Sequence, residues 1–93
     1  MAHKYTNKKR REIAIKVDAM AKAVGGYVRT SLHNVPHIVT PIGRIKASIC
    51  YFAKKDFWRI FYPYPAWQQT KITCKSSSEV IERILKLRST LAK

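Results

Sequence analysis

The chain has 93 residues, which is enough for one domain with a single modest core. Its apolar content of 46% is ordinary for a folded protein, while 19 Lys and Arg against five Asp and Glu give a net charge of +14. No apolar run approaches the roughly 20 residues that span a bilayer, and no hydrophobic segment follows the basic N-terminus. We therefore expect no membrane span and no secretory signal, but an intracellular, cytoplasmic location.

An apolar stripe at helical spacing predicts a first helix over residues 6–24. The stripe consists of Ile13, Val17, Met20 and Val24, widened by Ala14 and Ala21. Thr6 or Asn7 can cap the start of this helix, and the pair Gly25-Gly26 allows the left-handed backbone that commonly ends one.

The middle of the chain changes to the two-residue period of strands. Residues rich in β-branched and aromatic side chains predict strands at Tyr27–Thr30, His37–Thr40, Arg44–Phe52, Phe57–Tyr62 and Thr70–Cys74. Alternation is clearest in the third, where Ile45, Ala47, Ile49 and Tyr51 face one way and Arg44, Lys46, Ser48 and Cys50 the other. Turns are expected at residues 41–43 and 53–56, and the two prolines in residues 63–66 are expected to take the chain out of the sheet.

A capping box predicts the start of a last helix, with Ser76 as N-cap and Glu79 three residues later. Its apolar stripe consists of Val80, Ile84, Leu87 and Leu91, flanked by Ile81 and Leu85. The predicted fold is therefore α+β, a two-layer sandwich in which an N-terminal helix and a C-terminal helix cover one face of an antiparallel sheet. The sheet is expected to have three to four strands, with the first predicted strand either joining it or remaining an extended lead-in. Residues 1–5 are predicted to be a basic tail and residues 6–93 a single domain.

The cysteines and acidic residues predict neither a metal site nor a cofactor. Cys50 and Cys74 form no C-x-x-C pair, and no histidine lies at ligand spacing from either. We interpret them as strand residues in a reducing compartment, with a disulfide as the less favoured alternative. Glu79 and Glu82 serve the last helix, and the other three acids are too scattered for a metal-dependent nuclease. We therefore expect no catalytic activity.

The surplus of positive charge is unevenly distributed along the chain. Residues 1–22 hold seven basic and two acidic side chains, residues 23–75 hold eight and one, and residues 76–93 hold four and two. Because the acids of the last segment can pair with bases along their own helix, the unbalanced charge belongs to the first helix and the sheet. This asymmetry favours a surface that binds a polyanion over a general role in solubility.

The first candidate surface is the basic side of the first helix. Its members are Lys8, Lys9, Arg10, Arg11, Lys16 and Lys22. A stiff basic helix can contact phosphates and enter the major groove of DNA. The alternative interpretation of the run at residues 8–11 is a solvated helix end or a disordered arm.

The second candidate surface is the uncovered face of the predicted sheet with its loops. Its basic members are Arg44, Lys46, Lys54, Lys55, Arg59 and Lys71. Eight aromatic residues lie between residues 51 and 67, whereas a core of this size needs roughly four, so some are expected at the surface. Tyr64 and Trp67, in the proline-rich segment, are the best candidates for base stacking. The competing interpretation is core packing for most of the rings and an edge-strand dimer contact for the rest.

These features predict a non-catalytic nucleic-acid-binding protein with a regulatory or architectural role. Double-stranded DNA is favoured over RNA because the basic helix suits a groove, and a homodimer is expected because two-fold DNA sites are common. One alternative stays open in which a small phage or mobile-element protein inhibits or redirects a host or viral protein by direct contact.

A second alternative is a ribonuclease that uses His33 or His37 as general base or acid. The order helix, strands, helix resembles that of double-stranded-RNA-binding domains and of the small His-dependent toxin ribonucleases that share their fold. The resemblance covers the order of elements only. Residues 75–78 hold one lysine where the RNA-binding domains have a lysine-rich opening of their last helix.

Overall fold

The computed structural model describes residues 7–30, 35–64 and 70–91. Within these ranges the chain forms two helices and one antiparallel sheet of five strands. The elements are α1 (Asn7–Val24), β1 (Tyr27–Thr30), β2 (Pro36–Ile42), β3 (Ile45–Phe52), β4 (Phe57–Tyr64), β5 (Thr70–Cys74) and α2 (Ser77–Leu91). The strands lie side by side in chain order, so the sheet is a meander with β1 and β5 at its edges.

The predicted two-layer α+β sandwich is confirmed, because both helices pack on the same face of the sheet. Val17 of α1 and Val80 of α2 join one apolar core with Ile49 and Ile60, which lie opposite each other in β3 and β4. Fully burying a side chain of this size stabilises the fold by about 1.5–3 kcal/mol. The sheet has five strands rather than three to four, since β1 pairs with β2 along its whole length.

The apolar stripes of both helices face this core, with two exceptions at their margins, Ala14 in α1 and the 56% exposed Leu85 in α2. Val17, Met20, Ala21 and Val24 are buried in α1. Ala14, which the sequence places on the same stripe, is exposed. A methyl group gains little from burial, and at this end of α1 the half-buried Ile13 packs against the core.

Strand β4 runs further than expected, because it includes Pro63 and Tyr64. Ser48 pairs with Phe61 but Lys46 pairs with Tyr64, so β4 holds one residue more than β3 between the two pairs. An extra residue of this kind is a β-bulge, and a proline is tolerated there because the ladder hydrogen bond is already interrupted. The expectation that residues 63 and 64 leave the sheet is therefore wrong.

The turn between β2 and β3 also differs from the expected one. Pro41 and Ile42 belong to β2, and the chain reverses at Gly43 and Arg44. Gly43 has φ +89°, a left-handed conformation that glycine adopts without steric cost. Arg44 therefore lies in the turn, one residue before the strand in which the sequence places it.

The predicted end of α1 and the predicted start of α2 are present, whereas Thr6, one of the two predicted caps of α1, lies outside the described residues. Gly25 has φ +69° and ends α1. At the start of α2, the Glu79 backbone N–H donates to Ser76 Oγ over 3.2 Å. The Glu79 carboxylate accepts from the Lys75 backbone N–H at 2.9 Å, one residue before the donor that a standard capping box uses.

Arg88 of α2 joins three elements through its guanidinium group. It donates to the Pro41 carbonyl oxygen at 2.9 Å, to Thr40 Oγ1 at 2.8 Å and to the Val24 carbonyl oxygen. The Thr40 hydroxyl in turn donates to the same Val24 oxygen over 3.0 Å. The last carbonyl of α1, at the negative end of the helix dipole, is thus satisfied by β2 and by a cation from α2.

Candidate nucleic-acid interface

The face of the sheet that the helices leave uncovered is called the open face below. Ile38, Ile49 and Ile60 point into the core, so the residues beside them in each strand point the other way. Strand register then assigns a set of basic and aromatic side chains to the open face. Among the described residues these are Arg29, Lys46, Arg59 and Lys71, and Tyr27, Phe52, Phe57, Phe61 and Tyr64.

The open face carries no carboxylate. All five acidic residues of the sequence fall within the described ranges, and none belongs to a strand. Four lie in the helices, and Asp56 lies in the β3–β4 turn, where its carboxylate contacts Tyr51 and Lys16. Four cations on a surface without acids produce a positive potential that attracts polyanions.

Arg59 lies beside two stacked rings at one end of the open face. The rings of Phe52 and Phe57 are nearly parallel, at 4°, with centroids 4.7 Å apart. Arg59 Cζ is 5.3 Å from the first centroid and 5.1 Å from the second, within the range of cation–π attraction. Its Nε donates to Thr73 Oγ1 at 3.1 Å. The terminal nitrogens make no hydrogen bond or ion pair within the described part of the chain, so they are available to a phosphate.

The middle of the open face is filled by small and half-buried side chains. Val39 and Ser48 are 0% and 2% exposed although no helix covers them. The rings of His37 and Tyr64 lie beside each other, with centroids 5.9 Å apart. His37 Nε2 is buried and has no hydrogen-bond partner among the described residues.

A general base must reach the proton that it removes, so the buried Nε2 of His37 gives the ribonuclease alternative no support. His33, the other histidine of that alternative, lies outside the described residues.

The basic side of α1 belongs to the opposite layer of the molecule. Lys8, Arg10, Arg11 and Lys22 are exposed, and the buried residues of α1 begin only at Val17. The first turns of the helix therefore project their charges away from the core. The sequence analysis gives this helix and the uncovered sheet face as two candidate surfaces, and the fold separates them by the thickness of the sandwich.

Lys16 connects α1 to the β3–β4 turn. Its Nζ lies 3.2 Å from the Tyr51 hydroxyl and 3.4 Å from Asp56 Oδ1, and the Tyr51 hydroxyl donates to the same oxygen at 2.6 Å. The hydrogen bond from Tyr51, and then the charge of Lys16, hold the pKa of Asp56 below its ordinary value. The sequence predicts Lys16 as a nucleic-acid-binding residue, but in the structure its ammonium group already contacts Tyr51 and Asp56.

We expect Asp56→Asn to lower stability at neutral pH, with an effect that fades in acid. The pKa of Asp56 is lower in the folded than in the unfolded chain, so its contribution is present above the unfolded value of about 3.9 and is lost as pH falls through the folded value. Asparagine also tolerates the left-handed backbone at this position, where φ is +56°. Urea midpoints of both proteins at pH 7, 5 and 3 measure the difference. A difference that stays constant over this range contradicts the role assigned to the carboxylate.

The start of α1 and the β3–β4 turn lie at the same end of the molecule. Lys54 and Lys55 are exposed in that turn. The charge of Lys9 contributes to lowering the pKa of Asp56 in the same turn, although the ammonium group of Lys9 also lies 3.9 Å from Glu12. Positive charge therefore continues from the open face, around this end, to the first turns of α1. We call this end the hairpin end.

The eight clustered aromatic residues divide between the two faces of the sheet. Tyr51, Trp58 and Tyr62 belong to or pack against the core. Phe52, Phe57, Phe61 and Tyr64 lie on the open face, and Trp67 lies outside the described residues. The number of rings in the core is close to the sequence expectation.

Several residues of the open face were missed as site residues by sequence reasoning. They are Tyr27, Arg29, Phe52, Phe57 and Phe61. Alternation along β4, which puts Phe57, Arg59 and Phe61 on one side, could have identified part of this set. Tyr27 and Arg29 required the pairing of β1 with β2, which the sequence left open.

The two cysteines are free and lie on opposite faces of the sheet. Cys74 is buried beneath the helices, whereas Cys50 is half-buried on the open face. Burial raises the pKa of the Cys50 thiol, which keeps it protonated. Across the described ranges, no three His, Cys, Asp or Glu side chains converge as metal ligands.

Compared with known proteins, the chain matches no family model, no curated protein and no solved structure. Neither described helix is long and apolar enough to cross a membrane. The chemistry of the open face and of the hairpin end is therefore what bears on function.

Proposed function

We propose that this chain is a non-catalytic nucleic-acid-binding protein whose main contact surface is the open face. The observation that supports the proposal is the combination of four cations and five aromatic rings on a sheet face without carboxylates. Cations neutralise phosphates, and exposed rings contact bases. Tyr27 and Phe52 are exposed, and the other three rings, Phe57, Phe61 and Tyr64, are half-buried. Solubility alone requires charge but not rings on this face, and core packing requires rings but not charge.

Double-stranded DNA is the partner that the basic first turns of α1 favour. These turns project from the core without a buried side chain, as a groove-binding helix must. They lie at the hairpin end, so a nucleic acid held on the open face can also reach them. A regulatory or architectural role and a homodimer, formed through edge strand β1 or β5, complete the proposal.

A protein target is the second candidate function. Aromatic residues and arginine are enriched at protein interfaces, and the open face contains both. Lysine is depleted at such interfaces, however, and Lys46 and Lys71 supply half of the cations here. The open face also lacks any acid to pair with a basic partner, so it fits a polyanion better.

The proposal predicts a steep salt dependence that is specific to the open face. We expect Lys46→Gln/Lys71→Gln to reduce the slope of log K against log salt by about 1.4 on single strands or 1.8 on duplex DNA, since each phosphate contact contributes about 0.7 or 0.9. Fluorescence anisotropy with labelled duplex DNA, single-stranded DNA and structured RNA between about 50 and 200 mM salt measures the slope.

The matched control removes the same charge from the other layer. Arg83→Gln/Lys86→Gln takes two cations from the exposed side of α2 and is expected to leave the slope unchanged. If both double variants lose affinity equally, the charge acts only through the net charge of the protein. Failure of the wild-type protein to bind any nucleic acid at low salt contradicts the proposal altogether.

A further inference from the structure

Each aromatic group on the open face has a cation beside it. Lys46 and Lys71 lie directly across the ladder from Tyr64 and Phe61. Arg59 contacts the stacked pair Phe52 and Phe57, and in β1 a single residue separates Tyr27 from Arg29. A ring with an adjacent cation is what one nucleotide requires, since the base stacks on the ring and the phosphate pairs with the cation.

The spacing of these groups suits bases that are not stacked on each other. Successive outward positions along β4 lie about 7 Å apart, so the rings of Phe57 and Phe61, with Arg59 between them, lie about 13 Å apart. Successive bases in a duplex are separated by about 3.4 Å along its axis. A nucleic-acid strand that runs along β4 can therefore place different bases on different rings only when its bases are not stacked on one another. An extended single strand meets this condition.

The width of the sheet prevents the open face from entering a groove. Five strands at a spacing of about 4.8 Å place the edge strands about 19 Å apart, whereas the major groove is about 12 Å wide and admits a helix or a two-stranded ribbon. A duplex can thus meet the open face only through its phosphates. The phosphate backbone of the duplex would then cover the rings, and no base would stack on them.

We infer that the open face binds single-stranded nucleic acid, with bases on the rings and phosphates on the adjacent cations. This inference rests on the proposed nucleic-acid binding by the open face; it assigns single strands to that face and leaves duplex DNA to the basic first turns of α1. The shared chemistry of single-stranded DNA and RNA, an unpaired base on a phosphate chain, is what the open face recognises. Lys54 and Lys55, at the hairpin end, meet phosphates where the strand leaves the sheet.

The test replaces rings and leaves charge untouched. We expect Phe57→Leu/Phe61→Leu to weaken binding of a single-stranded oligonucleotide by roughly 5- to 150-fold for each base that loses its ring. Affinity for a GC-rich duplex with the same number of phosphates should stay within about twofold, because phosphate contacts are retained. Anisotropy at about 0.1 M salt, with oligo-dT and oligo-rU as the single strands, measures all three ligands.

Two further variants control for folding and for apolar surface. Leu85→Ala removes an exposed apolar side chain from α2 and should not change any of the three affinities. Tyr27→Leu changes an edge-strand ring that is 46% exposed, so it tests stacking even if the double variant fails to fold. A loss on both oligo-dT and oligo-rU supports recognition of either strand, and a loss on one of them identifies the sugar that the protein prefers.

The two proposals fail in different ways. If the wild-type protein binds the duplex as tightly as the single strands, or if the leucine variants lose duplex and single-strand affinity alike, the inference is wrong but nucleic-acid binding stands. If the protein binds the duplex through Arg10 and Arg11 and does not bind single strands, the binding site lies on α1 and not on the open face. If none of the three ligands is bound, both proposals fall.

Discussion

Replacing Arg88 with methionine should lower the free energy of unfolding by about 3 kcal/mol, because hydrogen bonds from a charged donor each contribute about 1.5–3 kcal/mol. The guanidinium group donates to two backbone carbonyls and one hydroxyl, in β2 and at the end of α1. The loss stays below the sum of three such bonds for two reasons. Val24 keeps its hydrogen bond from Thr40, and Pro41 is exposed, so water can reach its carbonyl. Methionine preserves the packing of the apolar stem.

Urea denaturation at pH 7 measures this change, provided that the dependence on denaturant is the same for both proteins. Arg83→Met is the matched control, since Arg83 occupies the exposed side of the same helix. We expect the control to change stability by no more than about 0.5 kcal/mol. If the two variants are equally stable, the hydrogen bonds of Arg88 do not hold the layers together.

Reversing the charge of Arg59 should weaken binding of single-stranded nucleic acid about 50-fold at about 0.1 M salt. Removing one phosphate contact costs roughly 5- to 8-fold at this salt concentration, and a glutamate adds repulsion of similar size. The substitution also removes the cation that lies beside the Phe52 and Phe57 rings. Arg59 is half-buried in β4, so thermal unfolding of the variant must be measured beside its affinity.

The location of the charge, rather than its amount, decides this experiment. Arg83→Glu makes the same change in net charge on α2, and we expect it to reduce affinity by less than about threefold, since charges beyond a Debye length are screened. Arg10→Ala/Arg11→Ala should weaken all sequences alike if these side chains only touch phosphate. A larger loss from the α1 variant than from Arg59→Glu would place the main contact on the helix layer.

Features that depend on local periodicity could be predicted from the sequence. The stripe of α1, the alternation from Ile45 to Tyr51 and the caps at Gly25 and Ser76 all involve residues a few positions apart. Their physical cause is a repeat of 3.6 or 2 residues or a single hydrogen bond. The α+β sandwich follows, because two amphipathic helices and a half-apolar sheet bury their apolar faces together.

Features that depend on pairing between distant segments could not be predicted. The proline rule ends β4 at Tyr62, and only the register against Lys46 and Ser48 reveals a bulge that keeps Pro63 and Tyr64 in the strand. The same limit applies to the candidate site. Lys16 is of a residue type that commonly binds phosphate, and the sequence does not reveal its partner Asp56, because that residue is 40 positions away in the chain.

The hydrogen bond from Arg88 to the Val24 carbonyl joins positions 64 residues apart in the chain. The sheet, by contrast, is a meander in which each strand pairs with its neighbour in sequence. Contacts close in sequence form early, whereas those that close long loops must overcome more entropy. The hairpins that display the rings can thus assemble before the helix layer closes behind them. We expect the late packing of the helix layer on the sheet to determine how cooperatively the whole chain folds.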